Sequence, residues 1–464
     1  MKTVTTPIIP VQPTYAKIQA PHELHLEAIC VFAATGFFLD TDTYWKDTVV
    51  LRPACEHQID DAGYLVSSTP YFEWEYTPDE TRNFERTLDQ FTTLFETIIA
   101  EQTQGQRVIL PLSGGLDSRT QAVALQRLGR SVQSYSYQFE GGYPETDIAD
   151  AIAKICEFPF EAFQIPKGYL WNVIDELAQL NRCESDFTAP RQMAIVNQFK
   201  SMGDMFSLGH WGDVLFDDMQ VADDLDSYGQ IEALKKKLLK KGGLTFAECL
   251  WNQWGLAGTF AEYFHERIAS LLQAIPITNS ANARIRAFKS LYWAPRWTSV
   301  NLAVFASVKP ISLPYYNNRM CAFICSVPER FLSKRQLQIG YIKRYAPKVA
   351  AVTWQDQKPF NLYTYTKNKA PYNVPYRIVN KLQRLGQQVL GTPYIQRNWE
   401  LQFLGPQNST ALEAVLYHPD LVRWVSWDVI EAMYNGFKHK DGVQHAHAIN
   451  MLVVLSTFIK SKSV

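Results

Sequence analysis

The most unusual stretch of this chain is LPLSGGLDSRTQ, residues 110–121. A predicted strand over residues 107–112, which is largely apolar, stops at Ser113-Gly114-Gly115, and an amphipathic stretch begins directly after it. A strand that runs through a glycine turn into a helix places backbone N–H groups at the helix N-terminus, where they and the helix dipole favour a phosphate group. Asp117 beside bound phosphates calls for a cation between them, and Mg²⁺ fills that role.

The segments after this turn alternate between helix and strand patterns. The first predicted helix ends near Gly129, and SVQSYSYQF, TDIADAIAKICEF and EAFQI follow as a strand, a helix and a strand. Such an order predicts an α/β fold, with right-handed crossovers and a parallel sheet covered by helices on both faces. Beyond about residue 215 the pattern is mostly helical.

The region before the turn differs in character. Residues 1–20 are rich in proline, which predicts extended chain, and residues 28–71 alternate short apolar runs with turn residues, as in ICVFAATGFFLDTDTYW. This alternation predicts a small β-rich unit. NFERTLDQFTTLFETIIAEQ then has apolar residues at helical spacing. We therefore predict two regions, residues 1–80 and 81–464.

Composition narrows the class of protein. An apolar fraction of 47% and a charged fraction of 20% are ordinary for a globular chain, and a net charge of −1 does not favour nucleic acid or a membrane surface. The seven cysteines form no CxxC pair, which predicts reduced thiols in the cytoplasm. No apolar run is expected to span a bilayer.

Two interpretations of Ser-Gly-Gly compete. The glycines alone favour a plain turn in which Asp117 caps a helix. The full strand–SGGLDS–helix context favours a phosphate loop, although not the GxxxxGK[ST] type, because the spacing and the lysine are missing.

The stretch resembles the PP-loop of ATP pyrophosphatases, SGGxDS, and the version with Leu116 is most similar to the synthetase domain of asparagine synthetases. SLGHWGDVLFDD, residues 207–218, resembles the G-x-G-[SG]-D-E-[LV]-F segment of that family. LPYYNNRMCAFICSVPERF, residues 313–331, resembles its P-F-L-D segment, and residues 34–60 resemble the close of its glutaminase domain. The resemblance implies a PP-loop synthetase domain of the adenine nucleotide alpha hydrolase-like type with a helical C-terminal part. A truncated remnant of an Ntn-type glutaminase domain would precede it.

The resemblance also implies that ATP and Mg²⁺ are the cofactors. It assigns the β- and γ-phosphates and their Mg²⁺ to Ser113, Gly114, Gly115, Asp117 and Ser118. Asp213 would be the second metal carboxylate, and Gly209 would lie by the nucleotide. Leu112 and the strand end with Tyr137 would wall the adenine.

A catalytic lysine is also implied. In TWQDQKPFNLY the candidate is Lys358, which would stabilise negative charge on the reacting phosphate and acyl groups, although a strict count places Gln357 there. Arg119, directly after the loop, either contacts phosphate or faces solvent.

Several positions depart from the family pattern. The chain begins Met1-Lys2, and its first cysteine is Cys30, so the N-terminal cysteine nucleophile of the glutaminase is missing. Val214 stands where the family has glutamate, and residues 310–314 lack the Glu-x-Arg-x-Pro sequence. These changes argue against glutaminase activity and against asparagine as the product.

The expected function is that of an AMP-forming amide ligase. It would adenylate a small-molecule or peptide carboxylate, release pyrophosphate and pass the acyl group to an amine or ammonia. Relatives without the cysteine, the β-lactam synthetases and lasso peptide cyclases, do this intramolecularly, so a peptide macrocyclase is one alternative. A non-catalytic nucleotide-binding relative is another. Expected partners are the acid, the amine donor and a separate glutaminase or peptide-delivery protein, without nucleic acid or membrane.

Overall fold

The computed structural model describes residues 1–389 and 394–462, with backbone alone at residues 388 and 389. The strands are β1 Lys2–Thr5, β2 Tyr15–Lys17, β3 Thr48–Val50, β4 Cys55–Ile59, β5 Leu65–Pro70, β6 Val108–Pro111, β7 Val132–Phe139, β8 Phe160–Ile165, β9 Met205–Ser207 and β10 Ile311–Ser312. The helices of the first half are α1 Leu26–Thr35, α2 Phe84–Gln102, α3 Leu116–Arg127, α4 Thr146–Ile155, α5 Leu170–Asn181, α6 Phe199–Met202, α7 Gly212–Leu215 and α8 Ser227–Leu238.

The second half is mostly helical, as predicted. Its helices are α9 Gly243–Gln253, α10 Phe260–Gln273, α11 Ala281–Phe288, α12 Ser299–Ala306, α13 Asn318–Cys325, α14 Glu329–Leu332, α15 Gln336–Tyr345, α16 Pro347–Ala350, α17 Val374–Val389, α18 Asn398–Phe403, α19 Pro406–Leu416, α20 Pro419–Trp424, α21 Trp427–His439 and α22 Gly442–Lys460. A π-helix over Lys289–Thr298 joins α11 to α12.

A five-stranded parallel sheet organises the molecule, which confirms the predicted α/β class. Its strand order is β10-β9-β6-β7-β8, and every pairing is parallel. The residues Val108, Ile109 and Leu110 of β6 are fully buried, as expected for a central strand covered on both faces. The chain leaves β6 toward β7 on one side and later returns to β9 on the other. The carboxyl end of β6 is therefore a topological switch point, where ligand crevices form in such sheets.

The prediction of a wholly β-rich unit over residues 28–71 is wrong in one part. The residues of α1 form a helix that ends at Gly36, whose φ of 83° lies in the left-handed region. Residues 28–35 are buried on every side of this helix, so its sequence carries no polar face that would show a helical period. The predicted strands do occur around it, as the antiparallel sheet β1-β4-β5 and the pair β2-β3.

Residues 1–80 share one hydrophobic core with the rest of the chain. The Ile8 N–H donates to Asn318 Oδ1 at 3.1 Å, and the Tyr15 hydroxyl donates to Glu184 at 3.0 Å. The N-terminal region therefore packs as part of the same body, and a domain boundary near residue 80 stays a prediction.

The prediction that no apolar run is long enough to span a bilayer is wrong for helix α22. Its 19 residues are long and apolar enough to cross a membrane. However, 61% of its most apolar window is buried inside the protein, and it packs against α19, α20 and α21. This burial is what the core helix of a folded domain shows.

Candidate active site

A cavity of about 580 Å³ opens at the carboxyl end of β6. The predicted site residues that line it are Leu112, Ser113, Gly115, Asp117, Ser118, Tyr137, Gly209 and Asp213. The fold thus brings the two motifs of the sequence to one place, although they lie almost a hundred residues apart. Their roles toward a nucleotide stay predictions.

The SGGLDS turn has the geometry of a strand–loop–helix junction. Helix α3 begins at Leu116, its N-cap is Gly115 with extended backbone, and no side chain caps it. The interpretation of Asp117 as a helix cap is therefore wrong. The Ser113 N–H donates to Ser118 Oγ at 3.0 Å, and the Gly115 N–H donates to Ser113 Oγ at 3.2 Å. The two serines hold the loop closed around the helix N-terminus.

Two glycines of the second motif let it approach Asp117 closely. A Cβ atom on Gly209 would lie 2.9 Å from Asp117 Cβ, and a Cβ atom on Gly212 would lie 2.1 Å from Asp117 Oδ1. Any larger residue at position 212 would displace the carboxylate. The spacing of glycines in this motif is therefore a packing requirement of the site.

Asp117 has two partners that the sequence does not reveal. The Arg335 guanidinium forms an ion pair with Asp117, and Gln338 Nε2 donates to Asp117 Oδ1 at 2.9 Å. Burial raises the pKa of Asp117 to about 6, with Arg335 lowering it and the charge of Asp213 raising it. The charge of Asp213 therefore acts on the Asp117 carboxylate.

These carboxylates fit a metal that is held jointly with a nucleotide. Asp117 and Asp213 both line the cavity. Mg²⁺ is usually bound by one or two carboxylates together with substrate phosphates. Within residues 1–389 and 394–462, no cluster of three or more metal-ligating side chains occurs. Phosphate oxygens would therefore have to complete the coordination.

Arg119 has neither of its expected environments. It is fully buried, and its guanidinium donates to the carbonyls of Gly114, Val352 and Thr353 at 3.0, 3.0 and 2.7 Å. Both the phosphate contact and the solvent-facing position are thus wrong. The side chain instead ties the loop to the segment after α16.

That same segment reaches the loop through Gln355. The Gly114 N–H donates to Gln355 Oε1, and the Gln355 N–H donates to the Gly114 carbonyl, both at 3.1 Å. Gly114 therefore joins the loop to Gln355 through two hydrogen bonds. Gln355 and Asp356 line the cavity, whereas Lys358 is not among the lining residues. The catalytic role of Lys358 stays a prediction.

The cavity is also lined by five residues that the sequence did not indicate as site residues. They are His210, Trp211, Lys289, Trp293 and Trp297. The last three recur at intervals of four, which was a visible signal, although an aromatic stripe with this spacing is also typical of a helix packed in a core.

Comparison with known proteins supports the nucleotide assignment. Residues 90–282 match the family described as asparagine synthase, and this span contains both the SGGLDS loop and the Gly209–Asp213 region. No curated protein matches the chain. The match supports an ATP-using, ligase-type enzyme.

Solved structures also resemble part of the chain. One is the NMN synthetase from Francisella tularensis, at 12% identity and a TM-score of 0.23, which covers 45% of this chain and 93% of that one. Another is the U34-tRNA thiolase NcsA from Methanococcus maripaludis, at 13% identity and a TM-score of 0.23, over 50% and 86% of the two chains. Likenesses this weak carry no functional argument.

Proposed function

We propose that the chain is an ATP-dependent carbon–nitrogen ligase of the AMP-forming type. The observation that carries this proposal is the meeting of the SGGLDS loop and Asp213 in one cavity, within the span that matches the asparagine synthase family. In the reaction, an oxygen of a substrate carboxylate attacks the α-phosphorus of ATP and pyrophosphate leaves. An amine or ammonia then attacks the acyl carbon and AMP leaves.

Each group of residues in the cavity has its own role in the proposed reaction. The N–H groups at the start of α3 and the loop hydroxyls bind the β- and γ-phosphates. Leu112 and Tyr137 wall the adenine. Asp117 and Asp213 hold Mg²⁺, which supplies charge neutralisation at the phosphates when bound. The site also holds the acid next to the α-phosphate. This positioning supplies much of the rate enhancement, because orientation and fixed charges dominate such transfers.

The proposed setting is the cytoplasm, where ATP is available and the seven free cysteines stay reduced. The partners would be a carboxylic acid or peptide, an amine or ammonia, and a separate glutaminase or peptide-delivery protein. Nucleic acid and membrane have no part in the proposal.

The test uses the purified chain with ATP, Mg²⁺, ammonium and a panel of carboxylic acids, and it measures AMP and pyrophosphate. Asp117→Asn and Asp213→Asn should each abolish pyrophosphate release, and the double variant should be no worse, because both act on one metal. Asp224→Asn is the matched control, since that carboxylate is exposed and outside the cavity.

The products separate the alternatives. Release of ADP and phosphate would contradict the proposal. ATP binding without any product from the panel would favour the non-catalytic alternative. A cyclic product from a peptide that carries both groups would place the chain among macrocyclases.

Lys358 has its own test within this proposal. It lies two residues after Asp356, which lines the cavity. Lys358→Ala should remove roughly 3 kcal/mol of transition-state stabilisation and so lower the turnover rate by orders of magnitude. The affinity for ATP should change little. A normal rate would exclude the assigned role and direct attention to Lys367 and Lys369.

A further inference from the structure

The π-helix contributes three side chains to the lining of the cavity. Lys289, Trp293 and Trp297 follow each other at intervals of four, and all three line the cavity. A π-helix bonds each residue to the one five positions away, so its wide turn aligns side chains four apart more closely than an α-helix does. π-Helical turns occur frequently at functional sites.

The indole rings in this lining contact neighbouring side chains. The Trp211 indole N–H donates to Ser290 Oγ at 3.1 Å. Phe37 stacks on Trp293 with ring centres 5.4 Å apart, and the Lys240 ammonium lies 5.6 Å from the centre of the Trp297 ring. Each of the three indole rings is therefore held in the cavity lining by a contact to a neighbouring side chain.

Two kinds of polar group in this part of the lining have no acceptor. The indole N–H groups of Trp293 and Trp297 are buried and have no partner. The Lys289 ammonium lies 5.0 Å from the Trp293 ring centre and 5.6 Å from that of Trp211. Among the residues that the structure describes, no carboxylate lies within 4.0 Å of this ammonium. A ligand that pairs with the Lys289 ammonium must bring negative charge.

The charge of Lys289 survives its burial at neutral pH. Burial lowers its pKa to about 8, with Asp213 raising it and Lys237 and Arg286 lowering it. At pH 7 most of the population is therefore still an ammonium. Val214, where the family resemblance has glutamate, adds an apolar side chain to the cavity wall.

We propose that Trp211, Lys289, Trp293 and Trp297, the indole–lysine subsite, bind the acid substrate. The acid they fit is an aryl carboxylic acid without an ammonium group beside its carboxylate. The flat body lies against the indole rings, and its carboxylate accepts from the Lys289 ammonium. An α-ammonium would face the Lys289 charge, with Asp213 committed to the metal. The inference rests on the proposed function for the step that follows binding.

A matched pair of acids tests the subsite without ATP. 3-Phenylpropanoate and phenylalanine differ only in the α-ammonium group, and calorimetric titration gives the affinity of each. The wild type should bind 3-phenylpropanoate at least about tenfold more tightly than phenylalanine, and Lys289→Met should lose at least about tenfold, the worth of one charge-assisted hydrogen bond. Lys200→Met is the control, because that lysine is exposed and does not line the cavity.

Equal or tighter binding of phenylalanine, or unchanged binding in Lys289→Met, would overturn the assignment. Circular dichroism checks that Lys289→Met is folded. If it is not, Trp297→Leu removes one indole ring from the cavity lining at a half-buried position, and it should weaken binding of 3-phenylpropanoate. Unchanged binding in that variant would equally contradict the subsite.

Exchange of labelled pyrophosphate into ATP separates this inference from the proposed function. Exchange that depends on 3-phenylpropanoate supports both. Binding that depends on Lys289, without exchange for any acid, would retain the subsite and contradict the ligase. Exchange that depends on phenylalanine or aspartate instead would retain the ligase and contradict the subsite.

Discussion

The Arg335 guanidinium pairs with the Asp117 carboxylate across 218 residues of sequence. The two side chains are only 9% and 22% exposed, so the pair is largely shielded from water. Arg335 also donates from Nε to Gln338 Oε1 at 2.8 Å, and Gln338 donates to Asp117. The carboxylate that the proposal assigns to the metal is therefore already neutralised and oriented by α15 and the residue before it.

Loss of this arginine should destabilise the fold through Asp117. Arg335→Met leaves a buried carboxylate without its cation, which should lower the free energy of unfolding by about 3 kcal/mol. Asp117→Asn removes that charge, so the double variant should recover much of the loss. Urea denaturation of the wild type, both single variants and the double variant measures the coupling. Additive losses would show that the pair does not act as a unit.

Titration of Asp117 should also make the free energy of unfolding depend on pH. Burial raises its pKa from 3.8 to about 6, a change that corresponds to roughly 3 kcal/mol. A raised pKa in the folded state favours the protonated form. Its stabilising contribution is therefore complete below about pH 4 and is lost as the pH rises through about 6.

The measurement is the free energy of unfolding of the wild type and of Asp117→Asn, in a chelator, between about pH 4 and 7. The wild type should gain stability relative to the variant as the pH falls through this window. A difference that stays constant would show that Asp117 titrates normally.

Gly212→Ala tests the close approach of the two motifs. The new Cβ atom would lie 2.1 Å from Asp117 Oδ1 and 2.8 Å from Tyr315 Cε2, so the carboxylate must move. We expect pyrophosphate release to fall by at least about a hundredfold, as for a misplaced catalytic group. Gly386→Ala is the control, because a Cβ atom there meets nothing within 4 Å and the residue lies in helix α17. Near-normal activity of Gly212→Ala would contradict the packing argument.

The features that could be predicted from the sequence are those that depend on residues adjacent in the chain. The strand, turn and helix around Gly115 follow from residues adjacent in sequence, and so does the parallel order of β6, β7 and β8. Arg335 comes from a left-handed stretch far along the chain, at a φ of 62°, and no periodic pattern marks it. The burial of Arg119 cannot be predicted from adjacent residues, because a buried guanidinium needs several carbonyl acceptors, which only the folded chain supplies.

Nitrogen delivery gives the last prediction. The cysteines of the chain all have burial as the first cause of a raised thiol pKa: Cys30, Cys55, Cys156, Cys183, Cys249, Cys321 and Cys325. A glutaminase of the cysteine type needs a thiolate, and none of these thiols is set up to provide one. The purified chain should therefore release no glutamate from glutamine, with or without ATP, Mg²⁺ and an acid, whereas ammonium should support product formation. A coupled glutamate assay measures this, and an added glutaminase supplies the positive control. Steady glutamate formation by the chain alone would show that a nucleophile has been overlooked, while glutamate formed only with a second protein would identify a separate glutaminase subunit.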